Sequence, residues 1–454
     1  MDTATSSFKD PDQLYDPVFI TRLVVEFQLT FASSMTDFAA KVIPHLTVYT
    51  SLVSIGSLLT RSPKCSRSVA TEAALTREVP DQSAHGIPVN DSVRSLQSLK
   101  LAKDAASTQS SSTRTAPLTR MGSLKQLMTT RSSKGDRIVK LVLGLWGLVV
   151  MLLHLHAVIQ SHLTFVEGCR AFTRPCFTSR SSCVSLVVNC YARNLETPDD
   201  QLLGSTDETA LATLTFAHCP SLRIPPAIQT FTNLMVFHIY NSTITEWGGD
   251  SNAISATAHP RLFVTAVART HFPAGFPGGL LQPLPASLLS IQFCVTDFPS
   301  LPDDLPSRWH PMAVVAFEYG VLTEIPVSLL SLQVFTLSLK GNKLEAIPQL
   351  ELMAADVEVP ELSLTDNPLK TLPDTLGAST TFIDRLDLQD TELTSLPAWT
   401  QTQVLKTNYL HGTPYCATAS PASQPANVQC GPVLDLNVDF PLAFIDQIYA
   451  VDRG

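Results

Sequence analysis

The sequence predicts an α/β solenoid of stacked coils, preceded by a transmembrane helix and a disordered basic segment. Three observations support this organisation. A leucine pattern recurs through nearly half of the chain, one apolar stretch contains no charged residue, and almost all cysteines follow that stretch. The repeats predict the fold, and the other two observations place the repeats outside the cytosol.

The charge balance changes along the chain. Residues 1–60 contain 3 Lys and Arg against 6 Asp and Glu, residues 61–140 contain 14 against 6, and residues 141–454 contain 14 against 28. A basic segment followed by an acidic half indicates two compartments. The basic segment, 61–140, is rich in serine and threonine, which predicts disorder. It has few aromatic residues and no recognition motif, so no nucleic-acid partner is expected.

The apolar stretch Leu141–Ile159 contains 19 residues and no Asp, Glu, Lys or Arg. A helix of that length rises about 28 Å, enough to cross the ~30 Å hydrocarbon core. Arg131, Lys134, Arg137 and Lys140 flank its N-terminal side, so we expect a single-pass protein, in the plasma membrane, with its C-terminal half outside. The alternatives are a buried core helix and a signal peptide, and the position far from the N-terminus disfavours the latter.

A second apolar segment, Val42–Leu59, is interrupted by Pro44 and His45, and the sequence leaves open whether it spans. Before it, apolar residues from Phe19 to Phe31 recur at helical spacing. This spacing predicts an amphipathic, membrane-associated region within residues 1–60, or a helix packed on protein. Whether or not Val42–Leu59 spans the membrane, the basic segment is expected inside and the C-terminal half outside.

The repeats begin at Leu211. Residues 334–348, 359–373 and 383–397 share one pattern, in which two leucines at alternate positions precede Asn342, Asn367 or Thr391. These segments resemble the leucine-rich-repeat family, whose pattern is LxxLxLxxNxLxxIP. More degenerate copies extend the series, with spacings between 22 and 28 residues. The nine marker positions are Cys219, Ser242, Thr270, Thr296, Gly320, Asn342, Asn367, Thr391 and Thr413.

The resemblance implies a horseshoe of about nine coils over residues 211–415. The two leucines of each coil point into a shared core, because a single coil cannot bury its own apolar side. The marker Asn bonds backbone groups of neighbouring turns, so we expect weaker bonding where another residue replaces it. Coils from Ser242 to Gly320 are therefore expected to be less regular. Prolines near the coil ends predict few long helices on the convex side.

Cysteines flank the repeats and predict two caps. Four of them recur every seven residues within the N-terminal cap, 160–210, and predict two disulfides in one of three connectivities. A zinc site is the alternative, but the close C-x2-C pair is missing. The C-terminal cap and tail, 416–454, resemble the cysteine caps of extracellular repeats. Disulfides are thus expected at Cys169, Cys176, Cys183, Cys190, Cys416 and Cys430. Cys219 is expected as a core thiol, and Cys294 as a free thiol on the strand face.

No phosphate loop, HExxH or GxSxG motif occurs in the sequence, so we expect neither catalysis nor a cofactor or metal. A binding site is expected instead on the concave face, where outward strand positions of successive coils align. Asn241-Ser-Thr is a glycosylation sequon that agrees with an outside location. The predicted binding residues are Lys340, Glu361, Thr365, Asp366, Arg385, Asp387, Gln389, Asp390, Tyr409 and His411.

The family resemblance implies a receptor-like or adhesion protein that binds a protein or carbohydrate partner. This expectation rests on analogy, because one fold serves many functions. Because no cytosolic catalytic domain is recognisable, any signal is expected to pass through a signalling co-receptor or through the basic segment. The alternative is a structural cell-surface or wall-associated protein without a discrete ligand, which saturable binding would exclude. A third alternative is a non-functional relative, since most coils have lost the marker Asn.

Overall fold

The computed structural model describes residues 134–164, 166–173, 180–418, 424–432 and 440–450, together with Phe19. The segment Val42–Leu59, the remainder of the amphipathic region, most of the basic segment and Cys176 lie outside the described residues.

The first described element is helix α1 (Lys134–Leu163). Within it, Lys140–Gln160 has the length and the mean hydropathy, 2.2, of a helix that can cross a membrane. The large apolar side chains from Leu141 to Met151 are exposed. Length and composition do not by themselves distinguish a membrane span from other apolar helices. Combined with the disulfides that follow, this helix is typical of a secreted or membrane protein.

A sheet of twelve strands follows, in the order β1, β2, β3, β5, and then β7 to β14 consecutively. Strand β1 pairs antiparallel with β2, whereas the other neighbours are parallel. These strands are β1 (Cys169–Phe172), β2 (Cys183–Asn189), β3 (Thr213–Ala217), β5 (Val236–Tyr240), β7 (Val264–Thr270), β8 (Ser290–Thr296), β9 (Met312–Glu318), β10 (Val334–Ser338), β11 (Glu358–Ser363), β12 (Phe382–Asp387), β13 (Val404–Tyr409) and β14 (Val428–Gln429). Strands β4 (Leu222–Arg223) and β6 (Ile244–Glu246) form a separate parallel pair.

Where they are described, the connections between strands contain only short helical turns. The α-helices among them and after them are α2 (Asp200–Gly204), α3 (Leu305–Arg308), α4 (Val327–Leu330), α5 (Trp399–Thr402), α6 (Pro414–Thr418) and α7 (Leu442–Ile448). Three 3₁₀ turns cover Pro226–Thr230, Gly278–Leu280 and Pro348–Leu352. The prediction of few long helices between the strands is confirmed for the described residues, and prolines stand at the starts of several turns.

One buried core runs along the sheet from Val166 to Leu410. The paired leucines of the clearest coils, such as Leu337 and Leu339, lie in it as predicted. Earlier coils fill the same space with aromatic rings. Phe293 stacks on Phe317 with ring centroids 4.8 Å apart, and it also meets Phe298 edge-on at 5.4 Å. Neighbouring coils thus share one continuous interior, which is how a solenoid gains stability.

The residue before each of the nine markers has a positive φ, a feature that the sequence analysis did not anticipate. At this point the chain leaves the strand through a left-handed turn, which Gly, Asn and Asp adopt most readily. The φ angles lie between 45° and 78°. The nine residues are His218, Asn241, Arg269, Val295, Tyr319, Gly341, Asp366, Asp390 and Gly412.

The marker side chains bond the backbone as expected. Asn367 accepts from the Leu344 N–H (3.2 Å) and donates to the carbonyl oxygens of Leu339 (3.0 Å) and Leu364 (2.9 Å). Thr391 makes a single bond, to the Leu388 carbonyl oxygen at 2.8 Å. Bonding is therefore weaker where Thr replaces Asn. The strands of the degenerate coils are nevertheless intact, since β7, β8 and β9 each contain seven residues. The expected irregularity of these coils therefore does not extend to their strands, which apolar packing supports.

Three disulfides are present among the described residues: Cys169–Cys183, Cys190–Cys219 and Cys416–Cys430, with Cα–Cα distances of 5.8, 4.9 and 5.6 Å. The expectation that Cys219 is a free core thiol is wrong. Strands β2 and β3 are parallel neighbours, and this pairing brings Cys190, just after β2, beside Cys219, just after β3. The bond therefore joins the cap to the first repeat. Cys294 is a free, buried thiol, as predicted.

Candidate binding face

The predicted binding residues lie on the face of the sheet opposite the core, which we call the sheet face. Parallel pairing aligns them in rows that cross the strands. Glu361 is paired with Arg385, and Asp387 is paired with Tyr409. Backbone bonds place Lys340, Thr365, Gln389 and His411 just beyond, at the ends of their strands. Asp366 and Asp390 follow in the left-handed turns.

The predicted binding residues differ in their burial, and several of them are not accessible to a partner. Glu361, Thr365, Asp387 and Gln389 are buried. Gln389 bonds Asp387 through both its backbone N–H (3.1 Å) and its side-chain amide (3.3 Å). Lys340 is half-buried, with its Nζ 5.9 Å from the centroid of the Tyr319 ring. Several of the predicted polar groups thus already bind within the protein.

The exposed members lie near the edge where the strands end. Asp366 and Asp390 are exposed in adjacent turns, and Arg385 is exposed in β12. Tyr409 and His411 are half-buried, and His411 Nδ1 lies 3.2 Å from the Cys430 carbonyl oxygen. The accessible part of the predicted site is therefore smaller than the sequence implied. Its role in binding a partner remains a prediction.

A second part of the sheet face, at the earlier strands, contacts the C-terminal segment of the same chain. This segment, residues 440–450, contains helix α7, and we call it the docked segment. Its apolar residues Phe440, Ile445 and Tyr449 form a buried cluster with residues of the sheet face. The members contributed by the sheet are Val187, Ala217, Tyr240, Ala266, Ala268 and Cys294.

Small side chains make room for the docked segment. Ala217, Tyr240, Ala268 and Cys294 occupy the same row of successive strands β3, β5, β7 and β8. Two alanines and a cysteine in this row leave a shallow groove, which we call the sheet groove. Burial of the Cys294 thiol raises its pKa. This thiol is therefore protonated and unreactive while the groove is filled.

Tyr449, near the end of the docked segment, forms hydrogen bonds with three polar side chains of the sheet. Its hydroxyl lies 3.1 Å from Thr215 Oγ1 and 3.2 Å from His238 Nδ1. Its carbonyl oxygen lies 2.7 Å from His218 Nε2. Asn241 Nδ2 donates to His218 Nδ1 at 2.8 Å, so Nε2 carries the proton that is donated to Tyr449.

Asp446 anchors the middle of the docked segment. Arg269, which has a positive φ near the end of β7, donates to both carboxylate oxygens, from Nε at 2.7 Å and from Nη2 at 2.6 Å. The Tyr240 hydroxyl donates to the same carboxylate at 2.8 Å. The bonds from Arg269 lower the pKa of Asp446. Burial and the bond to Asp446 raise the pKa of Tyr240 to about 12. A bidentate pair of this kind fixes orientation as well as position.

At its other end, the docked segment bonds a buried carboxylate. The Phe440 N–H donates to Glu318 Oε2 at 3.0 Å, and the Ser338 hydroxyl donates to Glu318 Oε1 at 2.6 Å. The segment therefore contacts strands from β3 to β9 through both side chains and backbone. The sequence predicted residues 416–454 only as a cap and tail, and this contact was not expected. The apolar spacing of Leu442, Ile445, Ile448 and Tyr449, which is helical, was the available signal.

The buried His238 imidazole should make the stability of the fold depend on pH. Burial lowers its pKa from 6.5 to about 4, and the Tyr449 hydroxyl is the titratable group bonded to it. The unfolded chain binds a proton below pH 6.5 that the folded chain excludes until about pH 4. The stability is therefore complete above pH 6.5 and falls towards pH 4, by up to about 3 kcal/mol.

The measurement is the Tm of the protein between pH 7 and 4.5. Burial also lowers the pKa of His259, which contributes with the same sign. The comparison with His238→Gln isolates His238, because Gln keeps a polar partner for Tyr449 and does not titrate. We expect a shallower decline in the variant. Identical slopes for the two proteins would contradict the assignment.

The repeat geometry decides the fold. Parallel strands from β2 onwards, a left-handed turn before each marker and asparagines bonded to neighbouring backbone occur together. The chain has a leucine-rich-repeat fold. Neither a protein-family model nor a curated protein matches it. In the described ranges, no group of three or more His, Cys, Asp or Glu residues is placed to hold a metal ion.

Among solved structures, this chain is similar to Listeria monocytogenes InlP, with 13% identity and a TM-score of 0.30. That match covers 48% of this chain and 62% of InlP, which is less than two thirds of its length. It is also similar to the leucine-rich-repeat domain of the type III effector XopL, with 17% identity, a TM-score of 0.33, and coverage of 55% and 77%. The fold assignment rests on the repeats of this chain themselves.

Proposed function

We propose that this chain is a membrane-anchored leucine-rich-repeat protein that binds a protein or carbohydrate partner outside the cytosol, in a receptor-like or adhesion role. The observation that carries the proposal is the order of parts. An apolar helix with exposed side chains, α1, precedes a solenoid with three disulfides. Disulfides persist in oxidising compartments, and the basic flank of α1 favours a cytosolic N-terminal side.

The sequon at Asn241 supports the same orientation. Asn241 is exposed, in the left-handed turn after β5, beside a cleft of about 670 Å³ lined by residues that include His218 and Arg269. Its side-chain nitrogen donates to His218, and a glycosylated amide retains one N–H for that bond. A glycan at this position is therefore compatible with the fold.

The test is protease protection on intact cells that carry a tag after Gly454. We expect external protease to remove the tag, and a glycosidase to increase the electrophoretic mobility of the protein. The Asn241→Gln variant is the matched control, and its mobility should not respond to the glycosidase. Survival of the tag until the plasma membrane is opened would place the repeats in the cytosol. That outcome would contradict the proposal.

The binding role has a separate test, directed at the two exposed carboxylates in the turns that follow β11 and β12. Asp366→Asn and Asp390→Asn remove two carboxylates, while Asn tolerates the left-handed turns. We expect weaker, salt-dependent binding of a basic partner. Abundant surface protein without any saturable binding would favour the structural, wall-associated alternative.

A further inference from the structure

The docked segment fills the sheet groove in the manner of a bound peptide. It presents an aliphatic side chain, a carboxylate and, three residues later, a tyrosine, from Ile445, Asp446 and Tyr449. Ile445 packs in the same buried cluster as the small side chains of β3, β7 and β8. Asp446 accepts from the Arg269 guanidinium, and the Tyr449 hydroxyl bonds the Thr215 and His238 side chains. Peptide-binding surfaces combine such apolar anchoring with a few fixed polar contacts.

We propose that the sheet groove is a second partner-binding site, separate from the edge that contains Asp366 and Asp390, and that residues 440–450 are its built-in competitor. The partner is a peptide segment of another protein that presents a carboxylate three residues before a tyrosine, with an aliphatic residue beside the carboxylate. It binds in place of the docked segment, so binding requires that segment to leave. This inference rests on the proposed function, since it names the site and the partner chemistry of the same repeats.

The geometry of the docked segment supports its displacement by a partner peptide. The docked segment is short, and its central ion pair is partly accessible, with side-chain exposures of 39% for Arg269 and 32% for Asp446. An incoming carboxylate can therefore reach Arg269 from solvent before Asp446 has left. Burial of the polar groups of the sheet face also opposes an empty groove, because His238 and Thr215 would each lose a hydrogen bond to Tyr449. The groove therefore favours exchange of one peptide for another.

The Cys294 thiol provides the reporter, because it lies in the groove, is buried in the same cluster as the docked segment, and is free. The experiment measures its rate of alkylation by N-ethylmaleimide in the folded full-length protein. Mass spectrometry of the Cys294 peptide separates it from Cys65 and Cys176. We expect Asp446→Arg, which places two cations together, to increase the rate about tenfold or more.

Two further variants distinguish release of the segment from damage to the fold. Gln447→Arg adds a cation at an exposed position of the same helix and should leave the rate unchanged. The double variant Arg269→Asp with Asp446→Arg restores the ion pair in reverse and should restore protection. Equal rates in the native protein and Asp446→Arg would overturn the proposal. So would a failure of the reversed pair to restore protection.

The peptide chemistry is tested by adding a synthetic peptide of residues 440–450 to the Asp446→Arg protein. We expect saturable protection of Cys294, and about tenfold weaker protection by the peptide with Tyr449→Phe or Asp446→Asn. Absence of protection at any concentration would overturn the peptide site. Exchange of segments between two copies, detected as a native dimer, would overturn the built-in competitor. The protease-protection result is independent of all these outcomes, so failure here and failure of the proposed function remain distinguishable.

Discussion

Replacing Phe293 with Ala is expected to lower the free energy of unfolding by about 3 to 5 kcal/mol. Phe293 is fully buried in the core under β8. Its ring stacks on Phe317 at 4.8 Å and meets Phe298 at 5.4 Å and Phe276 at 6.0 Å. Removing the ring loses the apolar transfer free energy and leaves a cavity, because neighbouring coils are joined by the sheet and cannot close it fully.

Phe335→Ala is the control, since Phe335 is 61% exposed in β10. We expect a change within about 0.5 kcal/mol for this variant. Urea unfolding of the full chain in detergent, followed by circular dichroism, measures both effects. Similar losses for the two variants would show that the aromatic cluster does not hold the degenerate coils together.

Replacing Asn367 with Ala is expected to cost about 2 to 4 kcal/mol. The buried Leu344 N–H would lose the acceptor Asn367 Oδ1, and the carbonyl oxygens of Leu339 and Leu364 would each lose a donor. The Leu339 carbonyl oxygen keeps the Asn342 Nδ2 donor at 2.8 Å. The loss nevertheless exceeds that of an average hydrogen bond, because the Leu344 N–H and the Leu364 carbonyl oxygen would be orphaned in a core from which water is excluded.

Thr391→Val is the matched comparison at the next marker, where the side chain makes one bond, to the Leu388 carbonyl oxygen. The substitution keeps the shape, so we expect a loss of about 1 kcal/mol. The same urea titration applies to both variants. If Asn367→Ala cost no more than Thr391→Val, the bonding between neighbouring coils would not explain why Asn occupies this position.

Much of the repeat region was predictable from the sequence. Leu337 and Leu339 alternate with polar residues and precede Asn342, and this local pattern is sufficient to predict a strand whose leucines point into a shared core. The same phase identified the marker positions of degenerate coils, such as Thr270, the last residue of β7, and Gly320, which follows β9. Strand direction and side-chain alternation are properties of a few consecutive residues, so they can be read without the fold.

The binding face was predicted only in part. Aligning the coils places Glu361 and Asp387 on the sheet face, but burial depends on neighbours that the alignment does not contain. The pairing of Cys190 with Cys219 was missed for a similar reason. The sequence grouped Cys190 with the other cap cysteines, whereas the parallel register of β2 and β3 brings it to the first repeat.

The sequence by itself determined the repeat, its phase, the apolar helix and the residue types available at each strand position, because these depend on local periodicity and composition. The tertiary structure alone decided which cysteines meet and which polar side chains are buried. It also decided that Asp446 and Tyr449 lie against β3, β5 and β7, 177 to 234 residues earlier in the chain. Contacts over such separations follow from packing of the whole chain, and no local pattern specifies them.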